Sequence, residues 1–246
     1  MADKNYLHTA YSKSANGADG FTTVYPNLNL LKNTKSQSYT STGTATNNSS
    51  NIYPLDGNVA DILNKPITIT YDYTITNSSG TWSGSIRPTY GLGVTNQSVS
   101  STKLSGTCKE TVTLTAVSQS SYGILTSGLP TGAKVTITNL KVEFGSTATP
   151  YISSASEVTT ADWPKYVGTY VDTNLVSSTD PSKYVWDEMK YRVYLDGVPV
   201  GGSKLLSTKV ENLKPDTSYT IQVKQVSGEE ESDFSDSVTF KTNVQK

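Results

Sequence analysis

Apolar and polar positions alternate along much of the chain with the two-residue period of half-buried strands. The pattern is cleanest in Ile67-Thr68-Ile69-Thr70-Tyr71-Asp72-Tyr73-Thr74-Ile75, which sets Ile67, Ile69, Tyr71, Tyr73 and Ile75 on one face. Asn77-Ser78-Ser79-Gly80 then supplies a turn. Trp82 to Val94 is interrupted by Pro88 and by Gly84, Gly91 and Gly93, and reads as two strands with an irregular join. Glu110 to Val117 alternates again, with Val112, Leu114 and Ala116 facing one way, and Leu129 to Ala133 is a turn around Pro130 and Gly132. In Lys134 to Phe144 the apolar positions run Val135, Ile137, Leu140, Val142, Phe144; the change of parity at Asn139 predicts a β-bulge. Farther on, Tyr191 to Leu195 runs into Asp196-Gly197, a two-residue hairpin signal. Further strands are expected over Thr220 to Val226 and Val238 to Thr242.

These elements predict an all-β chain in four parts. Residues 1–25 form an N-terminal arm in which Asn16 to Gly20 separate Tyr6 and Tyr11 from Phe21 and Tyr25. Such an arm either folds back on its own domain or tethers the chain to a partner or neighbouring subunit. Residues 26–155 form a β-sandwich with Ile67, Ile69, Tyr71, Val112, Leu114, Val135, Ile137 and Val142 pointing inward. Residues 156–187 form a connector. Pro164 and Pro181 argue against a compact core there, but Trp163, Tyr166, Tyr170, Tyr184 and Trp186 are too many aromatics for a plain linker, so it is expected to pack along one or both domains. Residues 188–246 form a second, smaller β domain.

Composition narrows the function. The 246 residues are 35% hydrophobic, and the aromatic content is mostly tyrosine, 16 against 4 Phe and 3 Trp. With Ser and Thr throughout, this suits thin sandwiches and disfavours a helical fold. Charge is balanced, 20 Lys+Arg against 21 Asp+Glu, so no basic footprint for nucleic acid exists. Cys108 is the one cysteine, which excludes an internal disulfide, and it reads as a strand residue. His8 is the one histidine, which excludes multi-His metal centres and most triads. No Gly-rich phosphate loop with a Lys is present. Glycoside hydrolysis needs a carboxylate pair, and residues 26–155 hold only Asp56, Asp61, Asp72, Glu110 and Glu143. The chain is therefore read as non-enzymatic. With no secretory signal and no apolar run of membrane-spanning length, it is expected to be made in a cytosol and not to insert into a membrane; virion assembly and cell lysis are one route out.

Two segments resemble known families. Leu213-Lys214-Pro215-Asp216-Thr217-Ser218-Tyr219 resembles the Leu-x-Pro-x-Thr-x-Tyr turn of fibronectin type III domains. The resemblance implies that Tyr219 is the tyrosine-corner residue, that Gly228 and Ser232 to Ser235 belong to the last hairpin, and that Val238 to Thr242 is the closing strand. One departure is that Trp186 lies only five residues before Tyr191, where the family's core Trp stands well upstream. The middle of the chain resembles jelly-roll carbohydrate-binding modules of phages infecting lactic-acid bacteria. Asn27-Leu28-Asn29-Leu30-Leu31-Lys32-Asn33-Thr34 matches their opening, and Leu140-Lys141-Val142-Glu143-Phe144-Gly145-Ser146-Thr147-Ala148-Thr149-Pro150-Tyr151 their closing strand. Trp163-Pro164-Lys165-Tyr166 and Asp180-Pro181-Ser182-Lys183-Tyr184-Val185-Trp186 are similar to the segment that follows such modules. Asn5 to Tyr11 through Tyr25-Pro26-Asn27 is similar to the start of accessory tail proteins of lactococcal-type siphophages.

The resemblance implies a jelly-roll β-sandwich followed by a smaller fibronectin type III-like sandwich, in an accessory protein of the virion tail, baseplate or neck. The expected partners are host cell-wall polysaccharide, bound by the jelly roll, and other virion proteins; self-association into a homo-oligomer is left open. The competing reading is a purely structural or decoration protein that binds no glycan. Sugar binding needs aromatic faces for pyranose rings and polar groups for hydroxyls. The candidates are Tyr90, Trp82 and Arg87 in one glycine-rich region, with Tyr53 and Tyr122 in polar loops. No cofactor is expected; Glu143 is read as a strand residue of the closing motif or, alternatively, as a calcium ligand.

Overall fold

A computed structural model describes residues 4–90, 92, 95–117, 121–210 and 213–243, with the side chain of Tyr90 outside that set. The first strands are β1 (Tyr6–Ser12), β2 (Phe21–Thr22), β3 (Ser36–Thr40), β4 (Asn47–Asn48) and β5 (Tyr53–Pro54), followed by the one-turn helix α1 (Val59–Ile62). Then come β6 (Pro66–Thr76), β7 (Ser83–Tyr90), β8 (Gln97–Ser100), β9 (Ser105–Thr113), β10 (Ser121–Ser127) and β11 (Lys134–Phe144). The chain continues with β12 (Tyr166–Asp172), β13 (Val185–Glu188), β14 (Tyr191–Leu195), β15 (Val198–Ser203), β16 (Ser218–Ser227), β17 (Glu230–Glu231) and β18 (Val238–Lys241). The fold is all-β, as the alternation predicts. It divides into two compact units, Leu28–Val158 and a split unit made of Met1–Asn27 with Thr159–Lys246.

Leu28–Val158 is a sandwich of two antiparallel sheets, β3-β11-β6-β9 and β4-β10-β7-β8, with β5 pairing β10. Of the inward positions of β6 and β11, Ile67, Ile69, Tyr73, Val135, Ile137 and Val142 are at most 1% exposed. They meet Ile86, Val99, Tyr122 and Ile124 of the facing sheet. Tyr71 and Leu114 are buried and Val112 packs half-buried on the same core. The β6–β11 register shifts between Thr138 and Lys141, and Asn139 takes a φ of 51°, so the parity change is a bulge.

Two strands differ from the expected bounds. β7 runs unbroken through Pro88, while the second half of the expected pair, Gly91, Gly93 and Val94, lies outside the described residues. β9 starts at Ser105 rather than Glu110 and ends at Thr113, leaving Ala116 exposed beyond it. Its inward positions are Gly106, Cys108, Glu110 and Val112, opposite Tyr73, Tyr71, Ile69 and Ile67. That mixture hides the strand from a hydrophobic pattern.

In the split unit, β1 is an interior strand of the sheet β13-β12-β1-β2. Residues 1–25 and 156–187, expected as arm and connector, thus hydrogen-bond to each other over seven register pairs from Tyr6↔Asp172 to Ser12↔Tyr166. The second sheet is β15-β14-β16-β17, with β18 on β16. Asp196 (φ 50°) and Gly197 (φ 78°) make the β14–β15 turn with both central residues left-handed, as a type I′ hairpin requires. The Tyr219 hydroxyl accepts a hydrogen bond from the Lys214 amide at 2.9 Å, the contact a tyrosine corner makes.

Candidate functional site

The edge strands β8 and β9 lie on the same side of the Leu28–Val158 sandwich, one in each sheet. Between them opens a groove of ≈ 380 Å³. Ile69 and Tyr71 are among its lining residues, with Thr95, Asn96 and Gln97 on one wall and Thr107, Cys108, Lys109 and Glu110 on the other. The register of β9 against β6 places Cys108 beside Tyr71 and Glu110 beside Ile69, so a thiol and a carboxylate stand where a closed sandwich has aliphatic side chains.

The walls are hydrogen-bonded to each other. The Cys108 thiol donates to Gln97 Oε1 at 3.0 Å. The Glu110 carboxylate accepts from the Thr95 amide at 3.1 Å and from the Thr95 hydroxyl at 2.9 Å. Arg87 Nε donates to Asn96 Oδ1 at 2.9 Å. Burial, reinforced by Cys108, pushes the Tyr71 phenol well above its usual range, so it stays a neutral donor. The groove thus presents amides, threonine hydroxyls, one phenol, one lysine and one carboxylate, and among the described residues Glu110 is the one acidic residue lining it. This set can hydrogen-bond hydroxyls, and it lacks a second carboxylate for hydrolytic acid–base work.

Of the five residues expected at a glycan site, Arg87 reaches the groove, through Asn96. The Tyr90 side chain lies outside the described residues. Trp82 is half-buried and packs on the core. Tyr53 and Tyr122 are corrections. Paired across β5 and β10, they are 0% and 1% exposed and form part of the core, so neither has a face free for a sugar ring. Burial raises both phenols, Tyr122 to about 12. Asn96, Gln97 and Glu110 were not singled out as sugar contacts, because each is an ordinary polar residue until β9 is paired with β6.

Glu143 is a hydrogen-bonded strand residue of the closing motif, and its surroundings do not favour the alternative reading as a calcium ligand. Its carboxylate is fully buried, accepting from the Thr149 amide at 2.8 Å and from the Thr149 hydroxyl at 2.5 Å, with Lys141 Nζ at 3.4 Å. Lys141, equally buried, donates to Thr149 Oγ1 and the Pro150 carbonyl, both at 2.6 Å. A cation is already supplied by the protein, and among the described residues no three His, Cys, Asp or Glu side chains converge as metal ligands. The closing motif is therefore a strap that pins residues 145–151 over β11. The opening motif joins it: Asn29 Nδ2 donates to the Leu140 carbonyl at 2.7 Å, and Asn29 Oδ1 accepts from the Val142 amide at 3.0 Å.

A second constellation belongs to the split unit. His8 is 4% exposed and stacks on Tyr170. Its Nε2 faces the Asn174 carbonyl at 2.8 Å and the Asp172 carboxylate at 3.2 Å, and its Nδ1 lies 3.0 Å from Ser177 Oγ. Arg192, 2% exposed, lies over the Trp163 ring, donates to the Tyr25 hydroxyl and pairs with Glu231. These groups are packed and hydrogen-bonded, and they hold the segments of the split unit together.

Sheets, groove and straps define an all-β protein with a polar-lined groove, and comparison with known proteins gives its family. Residues 164–222 match the family model described as Minor structural protein 5-like, C-terminal domain. A chain in the solved structure of the tripod (BppUct-A-L) from the baseplate of bacteriophage Tuc2009 is 41% identical, with a TM-score of 0.80 and 100% of both chains covered. The chain belongs to the baseplate proteins of siphophages infecting lactic-acid bacteria, and its location is the tail baseplate of the virion. No curated protein matches it.

Proposed function

We propose that this baseplate protein is a non-enzymatic adhesin whose jelly roll binds host cell-wall polysaccharide in the groove between β8 and β9. The observation that supports this reading is the Glu110 carboxylate on the inward face of β9, where it lines the groove. An edge strand that turns a carboxylate toward a core gains nothing by burying it, whereas a surface meant for sugar hydroxyls needs amides, a phenol and a carboxylate held in place. Asn96, Gln97, Glu110 and Tyr71 are assigned the hydroxyl contacts, with Arg87 orienting Asn96. Each contact contributes about 1 kcal/mol, so useful adhesion requires many copies on one particle. The tripod of the Tuc2009 baseplate supports a place for this chain in a comparable assembly with other virion proteins, and self-association within it.

The test is binding of labelled protein to host cells and to a glycan array, with Gln97→Ala and Glu110→Gln compared at equal fold stability. Saturable binding that falls tenfold or more in both variants supports the site. Binding that both variants retain moves the site elsewhere. No binding by the parent protein, on cells or array, favours the purely structural role, to which the buried Tyr53 and Tyr122 already point. Release of reducing sugar would overturn the non-enzymatic reading.

A further inference from the structure

The register of β6 against β9 sets the floor of the groove. Glu110 lies opposite Ile69 and Cys108 opposite Tyr71, and all four line the groove. Directly opposed side chains of an antiparallel pair stand about 5 Å apart and diagonal ones about 7–8 Å. Within that span the groove sets an aliphatic surface, a carboxylate and a phenol side by side. The carboxylate has acceptor capacity to spare. Oε2 of Glu110 takes the Thr95 amide at 3.1 Å and the Thr95 hydroxyl at 2.9 Å, while Oε1 has only the longer contact of 3.4 Å to the same amide. A carboxylate offers roughly four acceptor positions. The phenol of Tyr71 is a neutral donor held against the Cys108 thiol, and sulfur is a weak acceptor. The thiol proton itself is directed to Gln97 Oε1 at 3.0 Å. These contacts across the groove fix the groups in place before a ligand arrives.

A sugar hydroxyl is donor and acceptor on one atom, and the amides of Asn96 and Gln97 serve it. The set Ile69, Glu110 and Tyr71 asks for more: an N–H for the carboxylate, an acceptor for the phenol and an apolar group for the aliphatic surface. One substituent of common sugars carries all three on neighbouring atoms, the acetamido group. Its N–H to a carboxylate is a charge-assisted hydrogen bond. An ammonium group would satisfy Glu110 but give Tyr71 no acceptor. A phosphate or uronate would accept from Tyr71 but meet the charge of Glu110.

We propose that the groove recognises an N-acetylated sugar, the acetamido N–H donating to Glu110, its carbonyl accepting from Tyr71 and its methyl seated on Ile69. This rests on the reading that the groove binds glycan and sharpens it: Asn96 and Gln97 keep the hydroxyl contacts, while Tyr71 and Glu110 take the acetamido group.

The experiment titrates the full chain, followed by NMR, with chitotriose and cellotriose, which share one backbone and differ in carrying an acetamido group or a hydroxyl on the second carbon of each ring. Chitotriose should bind about tenfold more tightly or better, because a site built to hydrogen-bond a group rejects the analogue that lacks it. Its acetyl methyls should be the most strongly saturated protons in saturation-transfer spectra. Tyr71→Phe should bring chitotriose down to the level of cellotriose. Cys108→Ser gives the phenol a stronger partner within the protein and should weaken chitotriose in the same direction; melting curves check the fold of both variants. Host-cell binding that Gln97→Ala and Glu110→Gln abolish, without a preference for chitotriose, would overturn the acetamido assignment and leave the groove reading standing. A preference for chitotriose that both Tyr71→Phe and Cys108→Ser retain would overturn it too, by placing the acetamido group elsewhere. No binding by the parent to host cells or to either sugar would overturn both readings together.

Discussion

In the sandwich, apolar residues of one strand meet those of the next at every second position, and Ile67, Val135 and Val142 close the core with little help from polar groups. In the split unit, Tyr25, Trp163 and Arg192 meet from opposite ends of the chain, and Phe21, Tyr170, Tyr184 and Trp186 form an aromatic group, with His8 stacked on Tyr170 and Gly168 against Trp186. Among the described residues of the sandwich the fully buried ionic groups are Lys141 and Glu143, paired in the strap where the chain leaves it. The split unit sets a charge, Arg192, in the middle of its aromatic packing. Aliphatic layers tolerate sequence change that conserves volume. A cation held by Trp163, Tyr25 and Glu231 depends on every partner at once.

The comparison can be broken first at the strap. Glu143→Ala leaves the Lys141 ammonium buried without its carboxylate and should destabilise the sandwich by about 3–5 kcal/mol, whereas the double change Lys141→Met with Glu143→Leu should restore most of that loss; chemical denaturation of the two variants decides it. Next is Gly123→Ala. A β-carbon there would lie 1.8 Å from the Ser49 carbonyl oxygen, which belongs to the backbone and cannot swing away. A cost of about 3 kcal/mol is expected. Gly202→Ala in the split unit, whose β-carbon meets the flexible Met189 side chain, should cost less than half as much.

Smaller effects sharpen the same contrast. Burial holds the Lys141 ammonium down to about 8, below the usual lysine value of 10.5, against the pull of Glu143 in the other direction. In this window the unfolded chain binds the extra proton, so sandwich stability should rise between about pH 8 and pH 10, on the order of 2 kcal/mol. The buried phenols Tyr53, Tyr71 and Tyr122 have raised values, so their contribution is complete below pH 10 and lost above it. A denaturation midpoint that rises and then falls across pH 8 to 11 is expected, and Lys141→Met should abolish the rise. The smallest effect is Tyr219→Phe, which deletes the hydrogen bond from the Lys214 amide and should lower the split unit's transition by about 1 kcal/mol.

What could be read from the chain follows from the same difference. The strands β6 and β11, the Asn139 bulge and the Asp196-Gly197 hairpin were legible, because each is decided by neighbours within ten residues. The closing motif was legible as a motif but not as a strap, since the meaning of Glu143 depends on Thr149 folding over it. Tyr53 and Tyr122 looked exposed because Asn and Ser surround them in sequence, yet pairing of β5 with β10 turns both inward. The groove was hidden for the opposite reason. The inward positions Gly106, Cys108 and Glu110 carry no hydrophobic period, and a strand that lines an open groove has no cause to show one. Residues 1–25 and 156–187 were read apart because nothing local signals that Tyr11 will lie opposite Val167.

The interior position of β1 also fixes an order of events in time. Residues 6–12 leave the ribosome before the sandwich, but their partners at 166–172 follow only after the whole of it has been made. At about 5–20 residues per second the delay is roughly ten seconds or more. During it the sandwich can fold, while the edge of β1 that will meet β12 waits unpaired, open to another chain's strand. A strand made before the sandwich is thus satisfied only after it, and nascent copies that meet before Tyr166 to Asp172 emerge can pair through that edge.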